Sequence, residues 1–168
     1  MKIGVLSDTH DRAEPTAEAV RLLCARGAEL LIHCGDIESP DIIPVFAAAP
    51  THFVIGNNDY DLDLMAARIA TLGGKVHGHQ GTLELAGKRL AWVHSHIRGQ
   101  LRELERSEAF DYLFYGHTHE AEAHQTGRTR VLNPGALHRA RPKTCALVDL
   151  LTDTIEWIEV GAESDWKH

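Results

Sequence analysis

Lys2-Ile3-Gly4-Val5-Leu6-Ser7-Asp8-Thr9-His10 stands at the start of the chain, and its reading decides the fold. Residues 2–6 form a short apolar run that stops at Ser7-Asp8. A run of that length without a polar face reads as a strand buried on both sides. The pattern recurs twice: Leu30-Leu31-Ile32-His33-Cys34 runs into Gly35-Asp36, and His52-Phe53-Val54-Ile55 runs into Gly56-Asn57. Segments of helical spacing lie between. Residues 15–26 place Ala17, Val20, Leu23 and Cys24 on one stripe, with Gly27 as a stop. Residues 37–48 read as a short helix whose first turn starts at Ser39-Pro40. Residues 62–72 read as another, with Leu62, Met65, Ala66 and Ile69 inward and Gly73-Gly74 closing it. Strands alternating with helices argue for parallel pairing under a helical cover.

The second half reads differently. Residues 82–85 and 89–93 flank Ala86-Gly87-Lys88, residues 122–125 and 129–132 flank Thr126-Gly127-Arg128, and residues 144–150 and 154–160 flank Leu151-Thr152-Asp153. These are three hairpins. Residues 97–108 read as a polar helix with Leu101 and Leu104 inward, and Tyr112-Leu113-Phe114-Tyr115 as a strand ending at Gly116-His117. An α/β fold with two stacked sheets between helical layers accommodates all of this. No linker divides the chain, so one domain is expected over residues 1–168.

Composition narrows the function. The chain has 168 residues, a net charge of −7 and 12 histidines. An acidic surface repels long nucleic acid. It does not argue against a small phosphate-ester partner, and a homo-oligomer is compatible with it. Cys24, Cys34 and Cys145 form neither a CxxC pair nor a disulfide framework, and each sits in an apolar run, so buried free thiols are expected. The first apolar run is far shorter than a signal-peptide core, and no stretch approaches transmembrane length. A cytoplasmic protein that does not engage the membrane is expected.

The chemistry stands at the strand ends. Asp8 and His10, Asp36, Asn57, His94, and His117 with His119 follow five different strands. The crevice beyond the carboxyl ends of strands in an open α/β sheet is where ligands bind. Carboxylate, amide oxygen and imidazole together suit Mn²⁺, Fe²⁺, Co²⁺, Ni²⁺ or Zn²⁺. In Asp-x-His and His-x-His, alternate side chains leave an extended segment on one side and reach one cavity. Gly35, Gly56 and Gly116 directly precede ligands and permit close backbone approach.

Asp8-Thr9-His10, Gly35-Asp36, Gly56-Asn57-Asn58-Asp59, His94-Ser95-His96, Gly116-His117-Thr118-His119 and Asn133-Pro134-Gly135 stand in this order. The set resembles the calcineurin-like metallophosphoesterases, over about residues 1–150 and in their compact bacterial and archaeal phosphodiesterase branch. That branch includes the non-catalytic scaffold subunit of retromer. The resemblance implies a four-layer sandwich of two mixed sheets flanked by helices. It also implies two divalent ions, manganese first, with iron, zinc, nickel or cobalt as alternatives. One ion would take Asp8, His10, Asp36 and His119, and the other Asp36, Asn57, His94 and His117, with Asp36 bridging.

The expected reaction is two-metal hydrolysis of a phosphodiester by a bridging hydroxide. The alternatives are a phosphomonoesterase and a metal-binding scaffold of the same fold. The catalytic set is Asp36, Asn57, His94 and His96. Asn58, His96 and Arg139 are the candidates for substrate contacts, with Arg141 beside them. Two positions depart from the family pattern. Asn58 stands where the broad family often has a histidine that protonates the leaving group, and Ser95 where a glycine usually follows the ligand histidine. His33 reads as a satisfied buried histidine. His77, His79, His124, His138 and His168 read as surface or loop, and Trp92, Trp157 and Trp166 as packing groups.

Overall fold

The computed structural model describes residues 1–161. In chain order its elements are β1 (Lys2–Leu6), α1 (Ala13–Ala25), β2 (Leu30–His33), a 3₁₀ helix (Pro40–Phe46), β3 (Thr51–Phe53), α2 (Leu62–Thr71) and β4 (Lys75–Val76). There follow β5 (Gln80–Leu85), β6 (Lys88–Val93), α3 (Gln100–Ser107), β7 (Tyr112–Tyr115), β8 (Ala121–Thr126), β9 (Thr129–Pro134), β10 (Lys143–Asp149) and β11 (Thr154–Val160). Residues 162–168, which include Trp166 and His168, lie outside the described residues.

Two mixed sheets result. The first runs β11-β10-β1-β2-β3-β4, and the second β5-β6-β7-β9-β8. β1 to β4 are parallel, with β10 and β11 added antiparallel. β6, β7 and β9 are parallel, and each outer strand is antiparallel to its neighbour. α1, the 3₁₀ helix and α2 cover one face of the first sheet through Leu6, Leu23, Leu31, Phe46 and Ile69. The two sheets meet over Ile3, Val5, Ile32, Trp92, Phe114 and Val148. α3 covers the far face of the second sheet around Leu104, Leu113 and Val131. This is the four-layer α/β sandwich. β1 sends Ile3 and Val5 to the inter-sheet core and Leu6 to the helical side, which is why its sequence is apolar throughout. Seven strands, β1 to β4 with β6, β7 and β9, pair in parallel, and loops leaving five of them, β1, β2, β3, β6 and β7, carry the candidate ligands.

Local differences from the sequence reading have physical causes. Ser39 does cap its segment and Pro40 does open it, but Pro44 inside it lacks an N–H. The segment therefore winds as a 3₁₀ helix and not as α. α3 starts at Gln100 because Gly99 sits in left-handed backbone at φ 86°. α1 buries Thr16, Ala19, Val20 and Leu23, a stripe one position away from Ala17. Ala86-Gly87 is a two-residue turn with φ of 51° and 74°, so Lys88 already belongs to the strand. β4 is too short to leave a periodic signal. Trp92 is fully buried, whereas Trp157 is 41% exposed on the edge strand β11 and is no core packing group. Cys34 and Cys145 are buried free thiols, and Cys24 is only partly covered.

Phe114 is fully buried between the sheets. Phe114→Ala should destabilise the protein by about 3–5 kcal/mol. Urea unfolding would show this as a lower midpoint at unchanged slope. A loss below about 1 kcal/mol would mean that the sheets close over the void.

Candidate metal centre

The loops after β1, β2, β3, β6 and β7 converge at one end of the sandwich. Asp8, His10 and His119 form one cluster and Asp36, His94 and His117 another, the donor atoms in each lying within 4.8 Å of one another. Asn57 is exposed and lines the cavity over both clusters, about 370 Å³, together with Asn58, His138 and Arg139. His96 does not line that cavity. Its ring centroid lies 5.4 Å from that of His94 and 5.5 Å from that of His79.

Each donor is aimed by a partner on its other side. Asp8 Oδ2 accepts from Ser7 Oγ at 2.5 Å and from the His117 N–H at 3.0 Å. That leaves Oδ1, which is buried without a hydrogen-bond partner and faces His119 Nε2 at 3.1 Å. His10 points Nδ1 at Glu38 Oε2, 3.3 Å away, and its buried Nε2 has no hydrogen-bond partner. His94 donates from Nδ1 to the Cys34 carbonyl at 2.8 Å, so in the neutral ring Nε2 carries the lone pair. Nε2 lies 3.2 Å from Asp36 Oδ2 and 3.2 Å from His117 Nδ1. Asp36 Oδ2 is also 3.5 Å from His10 Nε2, which puts it between the clusters.

These spacings answer whether divalent ions fit. Donors about 2.1 Å from one ion stand roughly 3.0–3.4 Å from each other in octahedral or tetrahedral geometry. The 3.1 and 3.2 Å separations fall in that range, and His10 Nε2 stands slightly wider, at 3.5 Å from Asp36 Oδ2 and 3.9 Å from Asp8 Oδ1. Two buried, orphaned donor atoms and converging lone pairs are costly unless a cation shares them.

The electrostatics point the same way. Burial alone would raise the Asp36 carboxyl, but the His94 hydrogen bond and charge and two Asn58 donors bring it well below the usual carboxylate range. Those donors are the Asn58 N–H at 2.9 Å and side-chain amide at 2.7 Å. Burial pulls the His94 imidazole down, but Asp36, Asp8 and the Cys34 carbonyl together raise it. Burial, then neighbouring imidazoles, lower His96.

Backbone strain concentrates here. Asp8, His10, Asp36, His117 and His119 all have left-handed φ, between 44° and 74°. Non-glycine residues seldom adopt that region without compensation. Ser95 has φ 76°, which explains the glycine usual at that position, and its Oγ donates to the Gly116 carbonyl at 3.1 Å. A Cβ on Gly56 would stand 2.1 Å from Asp36 Oδ1, and one on Gly116 2.0 Å from Ser7 Oγ.

Sequence reasoning missed several supports. Asp59 accepts the backbone N–H groups of Asp36, Glu38 and Gly56 at 3.1, 2.7 and 2.7 Å. Its place in Gly56-Asn57-Asn58-Asp59 was visible, but its partners were not. His138 packs tilted against His10, ring centroids 4.8 Å apart, and is no ordinary loop residue. His77 is not a free surface group either, since its Nε2 meets His52 Nδ1 at 3.0 Å. His33 is satisfied and buried as expected. Its Nδ1 accepts the Gly35 N–H at 3.1 Å, so Nε2–H donates to Thr9 Oγ1 at 3.2 Å and joins the first two ligand loops.

Two mixed sheets with carboxylate–imidazole clusters at their common end define a phosphoesterase fold of the metal-dependent class. The calcineurin-like phosphoesterase superfamily domain matches residues 1–153, and the chain belongs to that superfamily. It is 28% identical over 138 residues to a phosphodiesterase of Methanocaldococcus jannaschii, covering 80% of this chain and 83% of the relative. A solved structure described as a novel archaeal phosphodiesterase superposes with a TM-score of 0.89 at 26% identity, over 95% of this chain and 99% of that one. Vps29 of Entamoeba histolytica complexed with zinc has the same fold, at a TM-score of 0.69 and 18% identity over 95% of this chain and 99% of that one.

Burial, with the neighbouring His94, lowers His33 to about 3. Its folded value lies below its unfolded one, so the stability it contributes is complete above about pH 6.5 and is lost as pH falls toward 3. His33→Gln should flatten the stability–pH slope between pH 6 and 4 by up to about 1.4 kcal/mol per unit. Parallel curves from urea titrations of the two proteins would contradict this.

Proposed function

We propose that the protein is a phosphodiesterase that hydrolyses a small phosphate ester at a dinuclear divalent centre, with manganese as the first choice. One observation carries the reading: Asp36 Oδ2 stands between an Asp8–His10–His119 cluster and a His94–His117 pair, within 3.5 Å of an imidazole nitrogen on either side. Asp8, His10, Asp36 and His119 would hold one ion, and Asp36, Asn57, His94 and His117 the other. Two such ions supply Lewis acidity at the phosphoryl oxygens and lower the pKa of water toward neutrality.

The chain's own residues do the rest. Asn58 fixes both oxygens of Asp36, so its amide orients the bridging carboxylate more than it reaches into the cavity. Glu38 and the Cys34 carbonyl hold His10 and His94 in the tautomers that present Nε2. Arg139 lines the cavity and brings a permanent cation to an anionic substrate. Asn58 has no proton to give at neutral pH, His96 lies off the cavity wall, and burial with the neighbouring His10 and Arg12 lowers His138 on that wall, so leaving-group protonation has no strong donor. A named phosphodiesterase relative supports the choice of a diester. The acidic chain favours a small substrate over long nucleic acid, and a cytoplasmic setting suits its free thiols. Among the described residues, no helix is long and apolar enough to cross a membrane.

Metal-stripped protein re-supplied with Mn²⁺ should hydrolyse aryl phosphodiesters faster than aryl phosphomonoesters. Asp36→Asn should reduce diester turnover by more than about a hundredfold, beyond the loss typical of an outer-shell substitution. Absence of turnover with every divalent metal, in protein shown to bind two ions, would favour the scaffold reading. Across a series of diesters the rate should rise steeply as the leaving group becomes more acidic. A flat dependence would reveal a proton donor in the site.

A further inference from the structure

A second, larger cavity of about 1070 Å³ adjoins the candidate metal centre. His138 and Arg139 line both, so the two spaces share a wall. Its charged groups are Arg12, Arg139, Arg141 and Lys143, with Glu14 and Glu159. Four cations against two carboxylates leave an excess of two positive charges, on a chain whose net charge is −7. None of the four cations is ion-paired with a carboxylate among the described residues, whereas Arg21, Arg26, Arg68 and Arg128 elsewhere are. Arg12 instead donates from Nε to His138 Nδ1 at 3.2 Å. That bond fixes His138 with its proton on Nε2 and ties the start of α1 to the loop after β9.

A cavity that its described residues leave cationic, on an acidic protein and opening beside a phosphoesterase centre, calls for an anion larger than the one phosphoryl group the metals would hold. The space exceeds what a methyl or ethyl ester arm needs and is of the size that takes a nucleotide-sized group. Arginine is the side chain best shaped to grip a phosphate through paired donors.

We infer that this cavity is a phosphate subsite, which takes a second phosphate group carried on one ester arm of the substrate and holds it with Arg12, Arg139, Arg141 and Lys143. The inference rests on the phosphodiesterase reading and narrows its substrate class to small diesters with an additional phosphate, at the spacing a nucleoside provides. The two-charge excess matches a phosphate dianion. Glu14 and Glu159, which line the same cavity, disfavour a longer polyanion.

Equilibrium binding separates this inference from the reading beneath it. Thymidine 3′,5′-bisphosphate and thymidine 5′-phosphate would be titrated into the Mn²⁺-loaded full chain at fixed ionic strength, alongside turnover of the p-nitrophenyl 5′-esters with and without the 3′-phosphate. The bisphosphate should bind about tenfold more tightly, and the ester bearing the 3′-phosphate should have a KM lower by a similar factor. In Arg141→Ala/Lys143→Ala protein, shown by circular dichroism to be folded, both preferences should fall to threefold or less. Arg98→Ala/Arg102→Ala, in a separate cavity beside Ser95 and Thr118, should retain them. Equal affinities in the unaltered protein would overturn the subsite, as would a preference that survives the first variant or vanishes in the second. A binding preference without any turnover would overturn the phosphodiesterase reading and leave a site for bisphosphorylated ligands.

Discussion

A half-buried carboxylate with no place among the candidate ligands holds the candidate centre in shape. Asp59 gathers three backbone N–H groups, two from the loop after β2 and one from the loop after β3. Burial raises its carboxyl above the ordinary range, even though those donors oppose the shift. The Asp36 amide is one of the three, so the side chain that stands between the two clusters is aimed from behind by a residue of the neighbouring loop. His33 makes the corresponding tie between the loops after β1 and β2, and Ser95 between those after β6 and β7. The Asp8 N–H on the Gly35 carbonyl, at 3.1 Å, completes the chain of loop-to-loop bonds. Strand ends alone would leave these loops free to splay, because parallel ladders stop before the ligands begin.

The same ties explain how five candidate ligands persist in left-handed backbone. Each such residue costs of order 1 kcal/mol or more, and surrounding structure must over-determine it. Here the compensation is visible in named bonds: the Asp8 carboxylate anchors the His117 amide, and Asn58 and Asp59 anchor Asp36. Glycines stand where no such compensation works. At Gly56 and Gly116 the obstacle is space, since a side chain would collide with Asp36 or Ser7. Stability has been traded for a rigid set of lone pairs aimed at one volume.

Much of this was legible in the sequence, for reasons of periodicity. Residues 2–6 and 30–34 are apolar on both faces because their strands lie between two packed layers, and that pattern is local. Strand-end ligands were legible because chemistry-bearing residues interrupt apolar runs abruptly. What stayed hidden depends on distance. Nothing near Asp59 announces that it will collect amides from residue 36, and nothing near His138 places it on the ring of His10. The 3₁₀ winding around Pro44 and the helix start after Gly99 follow from single residues that a helical stripe averages over. Trp157 was misjudged because an edge strand exposes a face that a central strand would bury.

The division of the centre between two sheets also bears on biosynthesis. A chain growing from its N-terminus presents Asp8, His10 and Asp36 long before His94, His117 and His119 have been made. The early segment offers two carboxylates and one imidazole, too few donors to capture a transition-metal ion firmly. Both clusters close only once the second sheet has docked on the first. The full donor set therefore belongs to the finished fold, and a chain cut short before β6 carries only the early part of it.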